Sequence, residues 1–168
     1  MSPEELAHHE RFMQEALLEA AKAADLNEVP VGAVVVCDGE VIGRGYNSPI
    51  TDHDPSAHAE VKALREAGRT IENYRLVDCD LYVTIEPCTM CAGAIVHGRV
   101  ARVIYGATEP KAGVIESQKN IFKEPYFNHS VEVVAGVMAG PCIDIIQAFF
   151  KRRRNEKKAQ KKAGEKPA

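Results

Sequence analysis

Apolar positions in this chain recur with two different periods, and the switches between them divide it into elements. Leu6, Phe12, Met13, Ala16, Leu17, Ala20 and Ala24 fall on one helical stripe. Ser2 precedes that stripe as its N-cap, with Pro3 at the first helical position. Residues 31–37 and 40–46 read as strands joined by Asp38-Gly39, a two-residue hairpin turn. Residues 47–55 hold Pro49, Pro55 and several Asp or Asn side chains and read as a loop. A helix is predicted over 57–67, closed by Gly68, and a strand over 81–85 that stops at Glu86-Pro87. A helical pattern then runs from Cys88 to His97 with Gly98 behind it, and strands are expected over 100–105 and 131–134. Gly140-Pro141 opens a last helix through Ile143, Ile146, Phe149 and Phe150, extending toward the basic end. Residues 109–129 show no period that fixes their form. Strands alternating with helices of this length predict an α/β layered domain with a mixed sheet.

Composition changes this picture in three places. A chain of 168 residues suits one domain with a tail and is long enough to bury a core without staples. No apolar run reaches membrane-spanning length, and the start Met1-Ser2-Pro3-Glu4-Glu5 is acidic without an apolar signal core, so a cytoplasmic address and no membrane partner are expected. Five cysteines, an odd number, argue against a disulfide framework; Cys37, Cys79 and Cys142 lie among apolar neighbours and read as buried free thiols. The net charge of −3 conceals a split. Residues 1–150 carry twelve Lys or Arg against twenty-two Asp or Glu, and residues 151–168 carry nine against two. An acidic body with a +7 end points to an anionic partner reached through the C-terminus. That end has little apolar content beyond Phe150, so its last part is expected to be frayed or disordered without a partner.

The candidate chemistry lies in His58-Ala59-Glu60 and Pro87-Cys88-Thr89-Met90-Cys91. Cys88 and Cys91, three apart at a helix start, share one helix face, and the positive end of the helix favours their thiolates. His58 stands at the start of the other helix. Three protein ligands with an open fourth position make a catalytic zinc site, and Glu60 beside it can take a proton from bound water and return it to a leaving group. A closed structural site would need a fourth ligand; His97, six residues past Cys91, points well away from the ligand face. A redox CxxC pair would leave His58 and Glu60 unexplained. The joint pattern is the signature of zinc deaminases acting on nucleobases.

At these residues the chain resembles the cytidine deaminase-like superfamily, and within it the tRNA-specific adenosine deaminases of bacteria. The resemblance runs from Glu28-Val29-Pro30-Val31-Gly32-Ala33 through Asn47 and His53-Asp54-Pro55-Ser56-Ala57-His58-Ala59-Glu60. It continues over 82–94 and 102–107 to Asn128-His129 and Phe149-Phe150-Lys151-Arg152-Arg153-Arg154. It implies a three-layer cytidine deaminase-like fold, a mixed five-stranded sheet flanked by helices. It assigns residues 1–150 to a zinc-dependent deaminase domain and 151–168 to a basic helix end or tail. The implied reaction is hydrolytic deamination of adenosine to inosine at the wobble position of a tRNA, an arginine tRNA being the expected one. One Zn²⁺ per subunit would be held by His58, Cys88 and Cys91, with attack of the activated hydroxide on C6 and Glu60 shuttling the proton. Asn47 would bind the flipped base, helped by the Ala59 N–H, with Val31 in the pocket wall. Asn128, His129, Glu109, Phe150, Arg153 and Arg154 would contact the anticodon stem-loop. A homodimer is implied as well. Two departures stand out: Glu109 replaces the Asp of many relatives, and Val114 to Asn120 differs from their small-residue segment. A deaminase of free bases or nucleosides would need no basic tail, and a zinc-stabilised RNA-binding module would need no Glu60.

Overall fold

Side chains alternate along the strands between two apolar layers, and helices cover both. The computed structural model describes residues 1–164. In chain order the elements are α1 (Pro3–Asp25), β1 (Gly32–Cys37), β2 (Glu40–Tyr46), α2 (Ala59–Ile71), β3 (Asp80–Ile85), α3 (Thr89–His97), β4 (Arg102–Ala107), a 3-10 turn (Ile121–Lys123), β5 (Glu132–Ala135) and α4 (Ala139–Lys162). The strands form one sheet in the order β2-β1-β3-β4-β5. β1 is antiparallel to both β2 and β3, whereas β3, β4 and β5 are parallel. Val34, Tyr82 and Ile104 pack with Phe12, Met13 and Ala16 of α1 and Cys142 of α4. Val35, Leu81, Val83, Val103 and Tyr105 pack on the opposite layer with Ala63 of α2 and Ile95 of α3. This is the expected three-layer α/β arrangement with a mixed five-stranded sheet.

The N-terminal signals operate as anticipated: Ser2 Oγ accepts from the Glu5 N–H and the Glu5 carboxylate accepts from the Ser2 N–H, a reciprocal capping box. Leu6, placed on the apolar stripe, is instead exposed at 40%; the buried face of α1 begins at His9. Helix α2 passes Gly68 and ends three residues later, where Glu72 takes the left-handed conformation at φ 55. The hairpin turn forms as predicted, with Asp38 and Gly39 both at positive φ.

The last helix runs into the basic end, as its pattern allows. α4 continues without a break across residue 150 to Lys162. Ala, Arg, Lys, Glu and Gln are strong helix formers, so the segment has the intrinsic propensity to extend a helix already nucleated on the sheet. Arg152 adds a tertiary tie, donating to the Ala24 carbonyl at 3.0 Å and to Asn27 Oδ1 at 3.2 Å beyond the end of α1. Residues 165–168, the end of the expected tail, lie outside the described residues. Among the described residues no helix is long and apolar enough to cross a membrane.

Candidate active site

Two helix N-termini meet at the site because small residues let α2 lie directly on the sheet. Ala59, Ala63 and Ala67 form one buried stripe of α2. They oppose Gly43 and Gly45 of β2, where a Cβ would stand 2.3 Å from the Ala63 carbonyl oxygen and 2.2 Å from that of Ala59. That close approach fixes the start of α2, where His58 is the N-cap; Cys88 is the N-cap of α3. Both cap residues are extended in backbone and neither uses its side chain to cap, which leaves the imidazole and thiol free to turn toward each other.

His58 Nδ1 lies 3.6 Å from Cys88 Sγ and 3.5 Å from Cys91 Sγ. Tetrahedral zinc, with Zn–S near 2.3 Å and Zn–N near 2.05 Å, separates such donors by about 3.6 Å. The three residues therefore fit the ion, and they are the only cluster of His, Cys, Asp or Glu able to hold a metal among the described residues. The Cys88 thiol is pulled down to about 4, chiefly by its hydrogen bond with Cys91, with His58 assisting against the cost of burial. Cys91 is pushed up by the same hydrogen bond and by burial. The hydrogen bond with Cys88 raises His58 above its usual value. Metal binding would release the shared proton, as thiolate ligation requires.

Glu60, in the first turn of α2, is 3% exposed. Burial raises its pKa above the ordinary carboxylate value, opposed in part by a hydrogen bond with Cys91. A carboxyl group placed in this way can take up a proton and return it.

Asn47 immediately follows β2, and its N–H donates to the Val31 carbonyl at 3.1 Å. Its Oδ1 accepts from the Ala59 N–H at 2.9 Å, satisfying a free donor at the start of α2. Through that bond the Ala59 N–H orients Asn47. The Asn47 NH₂ group remains the donor available there. Val31 is 5% exposed and lies beside it. Behind this corner, buried Glu28 accepts from the Ile50 and Thr51 N–H groups and so shapes the loop after Asn47.

Within the stretch 109–129, which periodicity leaves without a form, residues 109–117 are organised by another buried carboxylate, Glu86, which is 2% exposed. It accepts from the N–H groups of Glu109, Ile115, Glu116 and Ser117 and from the Ser117 hydroxyl. Burial opposes ionisation of Glu86, but these hydrogen bonds outweigh it and hold the pKa below the ordinary value. The Glu109 carboxylate accepts from the Lys111 N–H at 2.8 Å, closing its own turn. Asn128 Oδ1 accepts from Arg99 at 2.9 Å, and His129 Nε2 lies 2.7 Å from the Val100 carbonyl oxygen, so both tie their loop to the α3–β4 corner. On α4, Arg153 pairs with Glu156 at 3.0 Å while Phe150 stays 44% exposed and Arg154 is exposed. Motif spacing gives no sign of Glu28 or Glu86; the one signal is a Glu next to Pro87 at the end of a strand.

Residues 6–107 match the family described as the cytidine and deoxycytidylate deaminase zinc-binding region. A Haemophilus influenzae protein named tRNA-specific adenosine deaminase is 49% identical over 153 residues, 90% of this chain and 88% of its own length. The Bacillus subtilis protein of the same name is 44% identical over 157 residues, 94% of this chain and 98% of its own. A solved structure from work on A-to-I editing by tRNA:A34 deaminases at the wobble position superposes with a TM-score of 0.78 at 44% identity, covering 80% of this chain and 98% of that one.

Proposed function

The chain belongs to the cytidine and deoxycytidylate deaminase family and, within it, to the tRNA-specific adenosine deaminases, and from that premise we propose that it converts adenosine to inosine at the wobble position of tRNA. An arginine tRNA is the expected acceptor, and the cytoplasm the expected place. The observation that carries the reading is the His58, Cys88 and Cys91 cluster with buried Glu60 beside it and the Asn47 amide at its edge. His58, Cys88 and Cys91 would hold one zinc ion per subunit, which would supply Lewis-acid activation of a water molecule. The Asn47 NH₂ group donates to an acceptor on the flipped base, and its Oδ1 is held in place by Ala59. Val31 forms the apolar wall of the pocket. Glu60 takes a proton from the attacking water and delivers it to adenine N1 as the C6–O bond forms. It then carries the proton of the added hydroxyl to the amino group, which leaves as ammonia when the C6–N bond breaks.

Residues 1–150 form the deaminase domain in this reading, and the basic end of α4 extends it toward RNA. Arg154 and Phe150 offer a charge and a ring to the anticodon stem-loop. The half-exposed Arg153–Glu156 pair is worth about 1 kcal/mol, so Arg153 can exchange its carboxylate for a phosphate at little cost. Asn128, His129 and Glu109 contribute from their loops. The reading includes a homodimer, supported by an apolar groove of about 560 Å³ along α2 and α3 lined by Leu64, Tyr74, Leu76 and Ala94. Sedimentation should give twice the monomer mass; a monomer at micromolar concentration contradicts that part.

Glu60→Gln tests the mechanism. Zinc content and tRNA affinity should match the wild type while inosine formation falls by about 10²–10⁴-fold, the range for loss of a general acid–base group. Retained turnover would remove Glu60 from the reaction.

A further inference from the structure

Parallel strands β3 and β4 end side by side, and in open α/β sheets ligands bind outside the carboxyl ends of such strands. β3 leads through Glu86-Pro87 into Cys88, and β4 leads into the loop 108–120. Glu86 joins the two exits. Its Oε2 receives three successive amides, from Ile115, Glu116 and Ser117, at 3.0, 2.9 and 3.0 Å. Its Oε1 receives the Glu109 N–H at 3.1 Å and the Ser117 hydroxyl. Consecutive amides turned onto one oxygen form an anion-holding nest, filled here by the chain's own carboxylate. The fit is close enough to require a glycine: a Cβ on Gly113 would stand 2.3 Å from Glu86 Cδ. The Pro87 carbonyl, adjacent to the Cys88 ligand, accepts from the Val114 N–H at 3.1 Å. The loop is therefore fastened to the metal corner, and it carries Glu109 and exposed Lys111.

We infer that Glu86 is a positioning residue that holds 109–117 as a fixed wall beside the metal corner and thereby sets the affinity for the RNA substrate, without touching the reacting atoms. This rests on the proposed RNA deaminase reading. Glu86→Gln preserves size but removes the charge and turns an NH₂ group onto amide or hydroxyl donors, leaving part of the nest without an acceptor.

Amide hydrogen exchange over 109–117, zinc content and the Kd for an anticodon stem-loop test it together. In Glu86→Gln the loop amides should exchange at least about tenfold faster, with zinc content unchanged, and the Kd should rise by about tenfold. Ser117→Ala, which loses one of the five hydrogen bonds, should shift both in the same direction by less, and it serves in place of Glu86→Gln if that variant does not fold. Unchanged exchange overturns the anchor. Faster exchange with unchanged Kd overturns the link to affinity. A wild-type protein that neither binds nor deaminates the stem-loop overturns the underlying RNA reading, which the exchange measurement does not depend on.

Discussion

Asn47 divides two tasks between the two ends of one amide, and substitution can separate them. Asp keeps the oxygen that accepts from the Ala59 N–H but has no NH₂ donor; Ala loses both. Asn47→Ala should cost about 0.5–2 kcal/mol of stability, as for a lost helix cap. Asn47→Asp should melt with the wild type yet show a raised KM for RNA. If Asp instead binds RNA as well as Asn does, the donor has no role. At this scale the chemistry is the most legible part of the sequence. His58, Cys88, Cys91 and Glu60 are local patterns, and the spacing of each alone places it on a helix start. Glu28 and Glu86 are not legible, because their partners are backbone amides more than twenty residues away that no side-chain pattern announces. The bond from the Ala59 N–H to Asn47 is illegible for a related reason: only the fold brings the two together.

Among the elements, α2 depends on how closely its Ala stripe approaches β2. A methyl group at Gly45 meets backbone, which cannot swing aside. Gly45→Ala should destabilise by about 1–3 kcal/mol or more, lowering Tm by roughly 2–4 °C per kcal/mol. An unchanged Tm would mean that α2 can lift from the sheet without penalty. The packing of α1 on β3 adds a pH dependence. His9 Nδ1 lies 2.8 Å from the Tyr82 hydroxyl, and burial, then Arg102 and His8, lower its pKa below the ordinary value, against Asp80 and Glu5. The unfolded chain protonates His9 near pH 6.5 and the folded chain only at lower pH. The stability that His9 contributes is complete above about pH 6.5 and is lost as pH falls toward the folded-state value. The drop in Tm from pH 7.5 to 5.5 should be smaller in His9→Gln than in the wild type; equal drops would assign the acid sensitivity elsewhere. Periodicity locates the helices and the strands, but it cannot organise 109–129, whose order comes from the Glu86 carboxylate over 109–117 and from the Asn128 and His129 ties at its end, not from a repeat.

Taken whole, the molecule is an acidic body with a basic helix leading from it. Helix propensity and the tie from Arg152 to the end of α1 continue α4 into the basic end as far as Lys162. A rigid basic extension presents its charges in a fixed geometry, which a loose tail would not. Replacing Arg153 and Arg154 together by Ala should weaken stem-loop binding and reduce the slope of log K against log salt by about 0.7 for each phosphate left unneutralised. An unchanged slope would place the RNA-binding charges elsewhere on the surface. Substrate identity is tested most directly by position-resolved detection of inosine after incubating the zinc-loaded protein with tRNA, free adenosine, cytidine and guanine in parallel. Inosine at the first anticodon position, with the free compounds unchanged, is the expected result; turnover of cytidine or guanine with the tRNA left intact would contradict the assignment.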